Sequence, residues 1–222
     1  MIPCIYIVGA QCTGKTTLVG ELKKTLGAMS QKLNFDEPYA ISEVARKVLK
    51  SYDITREEIR NSSERSMILQ KAILYAQLEA ENDALRQSSW YISDRSGVDP
   101  IVYAKRYVDP DSVEALMLDT NWIKVIDRMK SSLVIVCEAG VTWLRDDGVR
   151  LMPEDQNDWV HFHSMFCETL DEVGLEYCVL PADIEDISER VGFVIAKWVR
   201  RIALPSSTSS GLSKRETVPE GI

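Results

Sequence analysis

The chain has 222 residues, a length that favours one α/β domain over two. Hydrophobic residues make up 45% and charged residues 27%, values typical of globular proteins that argue against a wholly disordered, collagen-like or coiled-coil chain. The net charge of −8 argues against nonspecific binding to the phosphate backbone of nucleic acids, so no nucleic-acid partner is expected.

The sequence also carries information about the compartment. No stretch reaches the roughly 18 apolar residues of a membrane-spanning helix, and residues 2–8 lack the basic start and cleavage site of a signal peptide. The five cysteines form no C-x-x-C pair and mostly lie in apolar runs, which favours reduced thiols. We therefore expect a cytoplasmic protein without a transmembrane segment.

The clearest motif follows the first apolar run. Residues 2–8 are rich in β-branched residues and tyrosine, which favours a buried strand. Residues 9–16 read G-A-Q-C-T-G-K-T, which matches the Walker A pattern G-x-x-x-x-G-K-[ST], and a helical periodicity follows. Glycines in such a loop let backbone N–H groups surround a phosphate, and the helix N-terminus adds a positive dipole. The sequence thus predicts a nucleotide-binding loop made of Gly9, Ala10, Gln11, Cys12, Thr13, Gly14, Lys15, Thr16 and Thr17.

Two side chains of this loop have individual roles in the prediction. Lys15 is expected to reach the β and γ phosphate oxygens of ATP or GTP. Thr16 is expected to offer its hydroxyl to Mg²⁺.

Strand-like and helical segments alternate along the rest of the chain. Further strands are predicted at 39–42, 90–93, 133–137 and 176–180, and helical regions at 55–86, 109–129 and 184–202. This alternation predicts an α/β fold of three layers with a mainly parallel five-stranded sheet. We expect one domain over residues 1–204 and a disordered, serine-rich tail over residues 205–222.

The end of the third predicted strand carries charged residues. Because ligands gather at the carboxyl ends of strands in open α/β sheets, Asp94 is the candidate carboxylate for Mg²⁺. Arg95 is a candidate clamp for an anionic or polyhydroxylated acceptor, and Asp99 a candidate substrate contact. The alternative is a turn-forming aspartate beside a solvated arginine.

Glu43 and Arg46 follow the second predicted strand. In phosphoryl transfer to a hydroxyl, a carboxylate here can position the attacking oxygen and accept its proton, while an arginine neutralises developing charge. Alternatively, Glu43 only complements a helix N-terminus and Arg46 lies on the surface. Glu37 is a second candidate for the base.

Two later segments carry weaker signals. Residues 142–158 are polar, and Arg145 and Arg150 within them are candidate catalytic arginines on a lid that closes over the transferring phosphoryl group. An ordinary acidic surface loop explains that composition nearly as well. His161 and His163 suggest a metal site, but the i and i+2 positions of a helix point to different faces, which favours ordinary helix residues.

Several segments together resemble the NadR-like family of small phosphate-loop ATPase/kinase domains. They are residues 9–16, the I-S-E-V-A-R of 41–46, the D-R-S of 94–96 with D-P-I-V-Y-A of 99–104, and the D-G-V-R of 147–150. The D-R-S segment is also similar to thymidylate and deoxynucleoside kinases. The resemblance implies a P-loop kinase fold, ATP or GTP with Mg²⁺, and, in the bacterial members, phosphorylation of nicotinamide riboside.

Three functions follow from these patterns. The first is an ATP-dependent kinase that transfers the γ-phosphoryl group to a hydroxyl of a small, nucleoside-like acceptor. The second is a nucleotide-dependent binding module that hydrolyses slowly and recognises a protein or a phosphoinositide. The third, a nucleic-acid-directed ATPase, requires a basic surface that the composition does not suggest.

Overall fold

The computed structural model describes residues 2–141 and 153–203. Within them, five strands form one sheet in which every pair of neighbours is parallel. The sheet order is β2-β3-β1-β4-β5. The strands are β1 (Ile5–Val8), β2 (Tyr39–Ile41), β3 (Tyr91–Asp94), β4 (Leu133–Cys137) and β5 (Cys178–Leu180). The predicted five-stranded parallel sheet is therefore confirmed.

Helices connect the strands and cover the sheet. In the described part of the chain they are α1 (Lys15–Leu33), α2 (Ala45–Tyr52), α3 (Arg56–Asn61), α4 (Ser63–Gln87), α5 (Val98–Tyr107), α6 (Pro110–Met117), α7 (Thr120–Lys130), α8 (Gln156–Glu172) and α9 (Ile187–Ala203). No helix among the described residues is long and apolar enough to cross a membrane. All five cysteines lie within the described ranges as thiols.

The predicted helical region 55–86 is two helices. Its break falls at Ser62, whose backbone is extended and whose side chain accepts a hydrogen bond from the backbone N–H of Arg65. A serine in this conformation caps the start of α4, because its hydroxyl satisfies an N–H that has no partner inside the helix. The region 109–129 divides in the same way at Asp119, which caps α7.

The core lies on both faces of the central strands. All four residues of β1 are fully buried, which explains why this strand reads as a continuous apolar run rather than an alternation. Trp90 and Trp198 stack with ring centroids 4.9 Å apart, and the Trp198 indole donates to the Pro3 carbonyl at 3.0 Å. This pair fixes α9 against the amino-terminal end of the sheet, while Trp159 and Phe166 bury α8 near the opposite end.

A buried polar network joins α4 and α7 beneath the sheet. Glu81 is fully buried and accepts hydrogen bonds from Arg128 at 2.8 Å and from Gln77 at 2.9 Å. Burial raises the pKa of Glu81 although both partners oppose that shift. Gln77 also donates to Ser93 at 3.0 Å, so the network holds α4 against the strand that ends in Asp94.

The sheet brings distant segments to one edge. Because all strands are parallel, the segments that follow β1, β3 and β2 emerge side by side. Those segments contain the phosphate loop, the D-R-S residues and Glu43, respectively.

We expect Gly9→Ala to lower the free energy of unfolding by at least about 2 kcal/mol. Gly9 has φ +124°, and a Cβ there would lie 2.6 Å from the carbonyl oxygen of Cys137 in β4. The matched control is Gly20→Ala in α1, where a Cβ meets nothing within 4 Å. That control should raise the free energy of unfolding by about 0.5–1 kcal/mol through helix propensity. Urea unfolding measures both values, and equal effects would contradict the close approach at Gly9.

Candidate nucleotide and acceptor site

The phosphate loop forms a tight turn between β1 and α1. Gly9, Cys12 and Gly14 have φ values of +124°, +60° and +80°. Three of six consecutive residues thus adopt the positive φ that a tight turn requires. Helix α1 begins at Lys15, and Gly14 provides no side-chain cap for its first N–H groups. Because the first N–H groups of a helix have no partner within it, this helix start favours an anion.

Lys15 is buried within the loop at 5% exposure. Its ammonium donates to the carbonyl of Ala10 and, at 3.2 Å, to the hydroxyl of Thr13. Burial, followed by the positive charge of Arg95, lowers the pKa of Lys15 to about 8. The lysine is thus held inside the curve of the loop by backbone and hydroxyl oxygens.

Thr16 and Asp94 meet across β1 and β3. The Thr16 hydroxyl donates to Oδ2 of Asp94 at 2.6 Å, and Oδ1 of Asp94 is buried without a hydrogen-bond donor. A hydroxyl oxygen beside an unpaired carboxylate oxygen suits Mg²⁺, which takes a few protein oxygens together with phosphates and water. Among the described residues no group of three or more His, Cys, Asp or Glu side chains is arranged to hold a metal. Thr16 and Asp94 thus offer two oxygens to a cation that also binds phosphate and water.

Arg95 is the centre of a buried ion cluster. It is 7% exposed and its φ is +82°. Its Nε donates to Oε1 of Glu43 at 2.7 Å and its Nη1 donates to Oδ1 of Asp99 at 2.9 Å. Its backbone N–H donates to the carbonyl of Ile7 in β1 at 3.0 Å, which ties the turn after β3 to the neighbouring strand.

Glu43 lies between two arginines. Its Oε2 accepts from Nε of Arg46 at 2.8 Å, while Arg95 holds Oε1. Burial alone would raise the pKa of Glu43, but the charges and hydrogen bonds of Arg95 and Arg46 outweigh it and lower that pKa to about 2. Glu43 is therefore a carboxylate throughout the physiological range, and Arg46, whose side chain is 40% exposed, lies at the surface while it pairs with Glu43.

The carboxylate of Asp99 is engaged within the chain. One oxygen pairs with Arg95, and the other accepts from the backbone N–H of Ser96 at 2.8 Å and from its hydroxyl at 3.1 Å. Burial raises the pKa of Asp99 despite the attraction of Arg95. These bonds orient Arg95 and stabilise the turn into α5.

The other sequence candidates lie elsewhere. Glu37 precedes β2 and packs beside Gly27 of α1, at the amino-terminal edge of the sheet, so it does not compete with Glu43. Arg145 and Arg150 lie outside the described residues, as do the tail 205–222 and most of the predicted lid.

Two residues that support the loop were not singled out from the sequence. Arg190 of α9 is 2% exposed and donates to the carbonyls of Thr13 at 2.9 Å and Ile184 at 3.2 Å. The indole of Trp159 in α8 donates to the carbonyl of Gln11 at 2.9 Å. A signal for Arg190 was present, because it is a cation on the apolar stripe of an amphipathic helix, between Ile187 and Val194.

Comparison with solved structures finds the same fold in NadR protein and in two kinases. NadR protein in complex with NR matches with a TM-score of 0.70 at 21% identity, covering 94% of this chain and 54% of that one. Thymidylate kinase from Ehrlichia chaffeensis gives 0.57 at 15% identity, covering 88% of this chain and 97% of that one. Deoxyadenosine kinase from M. mycoides gives 0.55 at 16% identity, covering 88% and 98%, respectively.

These similarities establish a kinase-like P-loop NTPase fold. The chain spans about half the length of the NadR chain that it matches. No curated protein matches the sequence. The family described as AAA domain matches residues 4–190, which includes the phosphate loop, the ion cluster and Arg190. The chain therefore belongs to this AAA-domain family of P-loop proteins, and the predicted resemblance to NadR-like domains is confirmed.

Proposed function

We propose that this protein is an ATP-dependent kinase that transfers the γ-phosphoryl group to a hydroxyl of a small, nucleoside-like acceptor. One observation carries the proposal. The carboxyl ends of three adjacent strands, β1, β3 and β2, set the phosphate loop, the Thr16–Asp94 pair and the Arg95–Glu43 pair beside one another. Such a site has a donor half on β1 and an acceptor half on β2 and β3.

The donor half is suited to a nucleoside triphosphate. The N–H groups of the loop and of the first turn of α1 would bind the β and γ phosphates, and Lys15 would exchange its contacts with Ala10 and Thr13 for phosphate oxygens. Thr16 and Asp94 would hold the Mg²⁺ that accompanies ATP, where the cation neutralises charge on the phosphate oxygens. GTP would use the same contacts, because none of them involves the base.

The acceptor half orients rather than strongly activates the hydroxyl. A carboxylate with a pKa of about 2 is a weak base, but phosphoryl transfer through a loose transition state requires mainly alignment of the attacking oxygen. Glu43 would accept a hydrogen bond from the acceptor hydroxyl, and Arg95 would bind the acceptor or the transferring group. The acceptor oxygen forms a bond to the γ phosphorus, the bond to the ADP oxygen breaks, and the hydroxyl proton is released.

The experiment is acceptor-dependent ADP release. Purified protein with ATP and Mg²⁺ is supplied with a panel of nucleosides that includes nicotinamide riboside, and the same panel is run with GTP. Release that rises with one acceptor, and that Asp94→Asn abolishes, supports the kinase. Tight nucleotide binding with no response to any acceptor would instead support the nucleotide-dependent binding module.

We expect Lys15→Ala to reduce nucleotide-dependent turnover by at least about a hundredfold, since it removes the charge that stabilises the β and γ oxygens. Lys24→Ala is the matched control, because Lys24 is an exposed lysine of the same helix that pairs with Glu21 at 2.6 Å. The control should keep full turnover. Full turnover of folded Lys15→Ala would show that the site is elsewhere.

Glu43 gives the site a pH signature in its stability. Because the pKa of Glu43 is lowered to about 2 from 4.5, its stabilising contribution is present above pH 4.5 and is lost as the pH falls towards 2. We expect Glu43→Gln to cost on the order of 3 kcal/mol at pH 7 and progressively less below pH 4.5. Urea unfolding from pH 7 to pH 3 measures the difference from wild type.

The control for this series is Glu21→Gln, which removes one partner of the exposed Glu21–Lys24 pair and should cost close to nothing at any pH. A Glu43→Gln difference that does not change between pH 7 and pH 3 would contradict the depressed pKa.

Arg190 should set the affinity for ATP through the loop that it supports. Arg190→Ala leaves the Thr13 carbonyl without this donor, and we expect the KM for ATP to rise about tenfold, equivalent to about 1.4 kcal/mol, with a smaller change in kcat. Arg190→Lys should restore part of the affinity, because one ammonium can still reach the carbonyl. Arg200→Ala, an exposed position on the same helix, should leave KM unchanged. A fall in thermal stability with an unchanged KM would limit Arg190 to a structural role.

A further inference from the structure

A second feature of the molecule lies beside the proposed acceptor half. A cleft of about 1140 Å³ opens between α3, the carboxyl-terminal turn of α5 and α8. The lining residues that the structure describes include four cationic side chains, those of Arg56, Arg60, Lys105 and Arg106, and two carboxylates, those of Glu57 and Glu154. This described part of the lining thus has more positive than negative side chains, although the net charge of the chain is −8.

Helix α5 connects this cleft to the ion cluster. Asp99 in its first turn pairs with Arg95, and Arg106 in its last turn lines the cleft. Seven residues of α-helix span about 10 Å, so the cleft begins roughly that distance from the Arg95–Asp99 pair. Between the two, the Tyr103 hydroxyl lies 3.5 Å from Oε1 of Gln11 in the phosphate loop.

Helix α8 makes the same connection from the other side. Its Trp159 donates to the carbonyl of Gln11, and His161, two residues further on, lines the cleft. The two longer helices that line the cleft, α5 and α8, are thus the ones that contact the phosphate loop through Tyr103 and Trp159.

The cations of α5 are held in place by neighbours that do not fill the cleft. Arg106 pairs with Asp158, and its guanidinium lies 5.7 Å from the centre of the Phe162 ring. Lys105 pairs with Glu172 of α8. Side chains restrained in this way lose little further freedom when they bind an anion, which favours recognition of a charged group.

We propose that the acceptor carries an anionic group, a carboxylate or a phosphate, at the end opposite its reacting hydroxyl, and that this cleft binds it. The inference rests on the proposed function for the position of the hydroxyl beside Glu43. The distance along α5 sets the size of the acceptor, which must span on the order of 10 Å between hydroxyl and anion. A nucleoside that carries the anion on a short substituent at the far edge of its base has that reach.

The test uses pairs of acceptors that differ only in the distal charge. N6-(2-carboxyethyl)adenosine is compared with its carboxamide for the carboxylate, and N6-(2-phosphonoethyl)adenosine, whose phosphonate stands in for the phosphate, with its dimethyl ester. For each compound, equilibrium dialysis measures binding to the full chain with a non-hydrolysable ATP analogue and Mg²⁺, and ADP release measures transfer. We expect the charged member of at least one pair to bind at least tenfold more tightly than its neutral partner.

Variants assign the effect to the cleft. Arg60→Gln and Lys105→Gln should each weaken binding of the charged member three- to tenfold and leave the neutral member unchanged. Lys130→Gln is the matched control, because Lys130 also forms a surface ion pair, with Asp127 at 3.0 Å, but lies outside the cleft lining. It should change neither. Intact unfolding midpoints would show that the variants remain folded.

The two readouts separate the two proposals. Tighter binding of the charged member without ADP release supports the anion-binding cleft and contradicts the kinase. ADP release that is equal for both members of each pair, or greater for the neutral one, supports the kinase and overturns the anion-binding cleft. Absence of binding by every charged member, or a preference that survives both cleft variants, also overturns it.

Discussion

A buried guanidinium must have carboxylates around it, and this requirement organises the edge of the sheet where the site lies. Arg95 is 7% exposed and is held by Glu43 from the segment after β2 and by Asp99 from the first turn of α5. Its backbone N–H is held by Ile7 of β1. Removal of either carboxylate would leave a charge in a medium that solvates it poorly, so the cluster positions three elements with respect to one another. The same cluster keeps Glu43 ionised, and the pKa of Lys15 is lowered by burial and, in addition, by the charge of Arg95, which couples the acceptor half to the donor half electrostatically.

The phosphate loop depends on a second set of contacts, from the last third of the described chain. The loop carbonyls of Gln11 and Thr13 accept hydrogen bonds from the Trp159 indole and the Arg190 guanidinium, which fix the backbone of the turn from outside. Helices α8 and α9 therefore support the phosphate loop, although neither contains a phosphate-binding pattern. Preorganisation of this kind reduces the free energy needed to order the loop when a nucleotide binds.

Charge is distributed unevenly in this molecule. The net charge of −8 lowers the attraction of polyanions such as nucleic acid at long range. Among the described residues, the cleft between α3, α5 and α8 is nevertheless lined by four cationic side chains and two carboxylates. Such a surface favours small anions that enter a cavity over extended ones that lie across the outside. This distribution is consistent with a small-molecule site and with the kinase-like fold of the solved relatives.

Local patterns in the sequence were sufficient to predict the parallel sheet and the phosphate loop. They also predicted that Asp94, Arg95 and Glu43 follow the ends of strands. Each depends on spacing within a few residues: an apolar run, a glycine-rich turn, or a charge directly after a strand. Helix breaks at Ser62 and Asp119 were not distinguished from helix interiors, because a serine or an aspartate suits a cap and tolerates a helix. The partners of Arg95, the support of the loop by Arg190 and the cationic cleft were decided only by the tertiary structure. They join residues up to 177 positions apart, and the sequence alone does not encode which side chains meet when helices pack across a sheet.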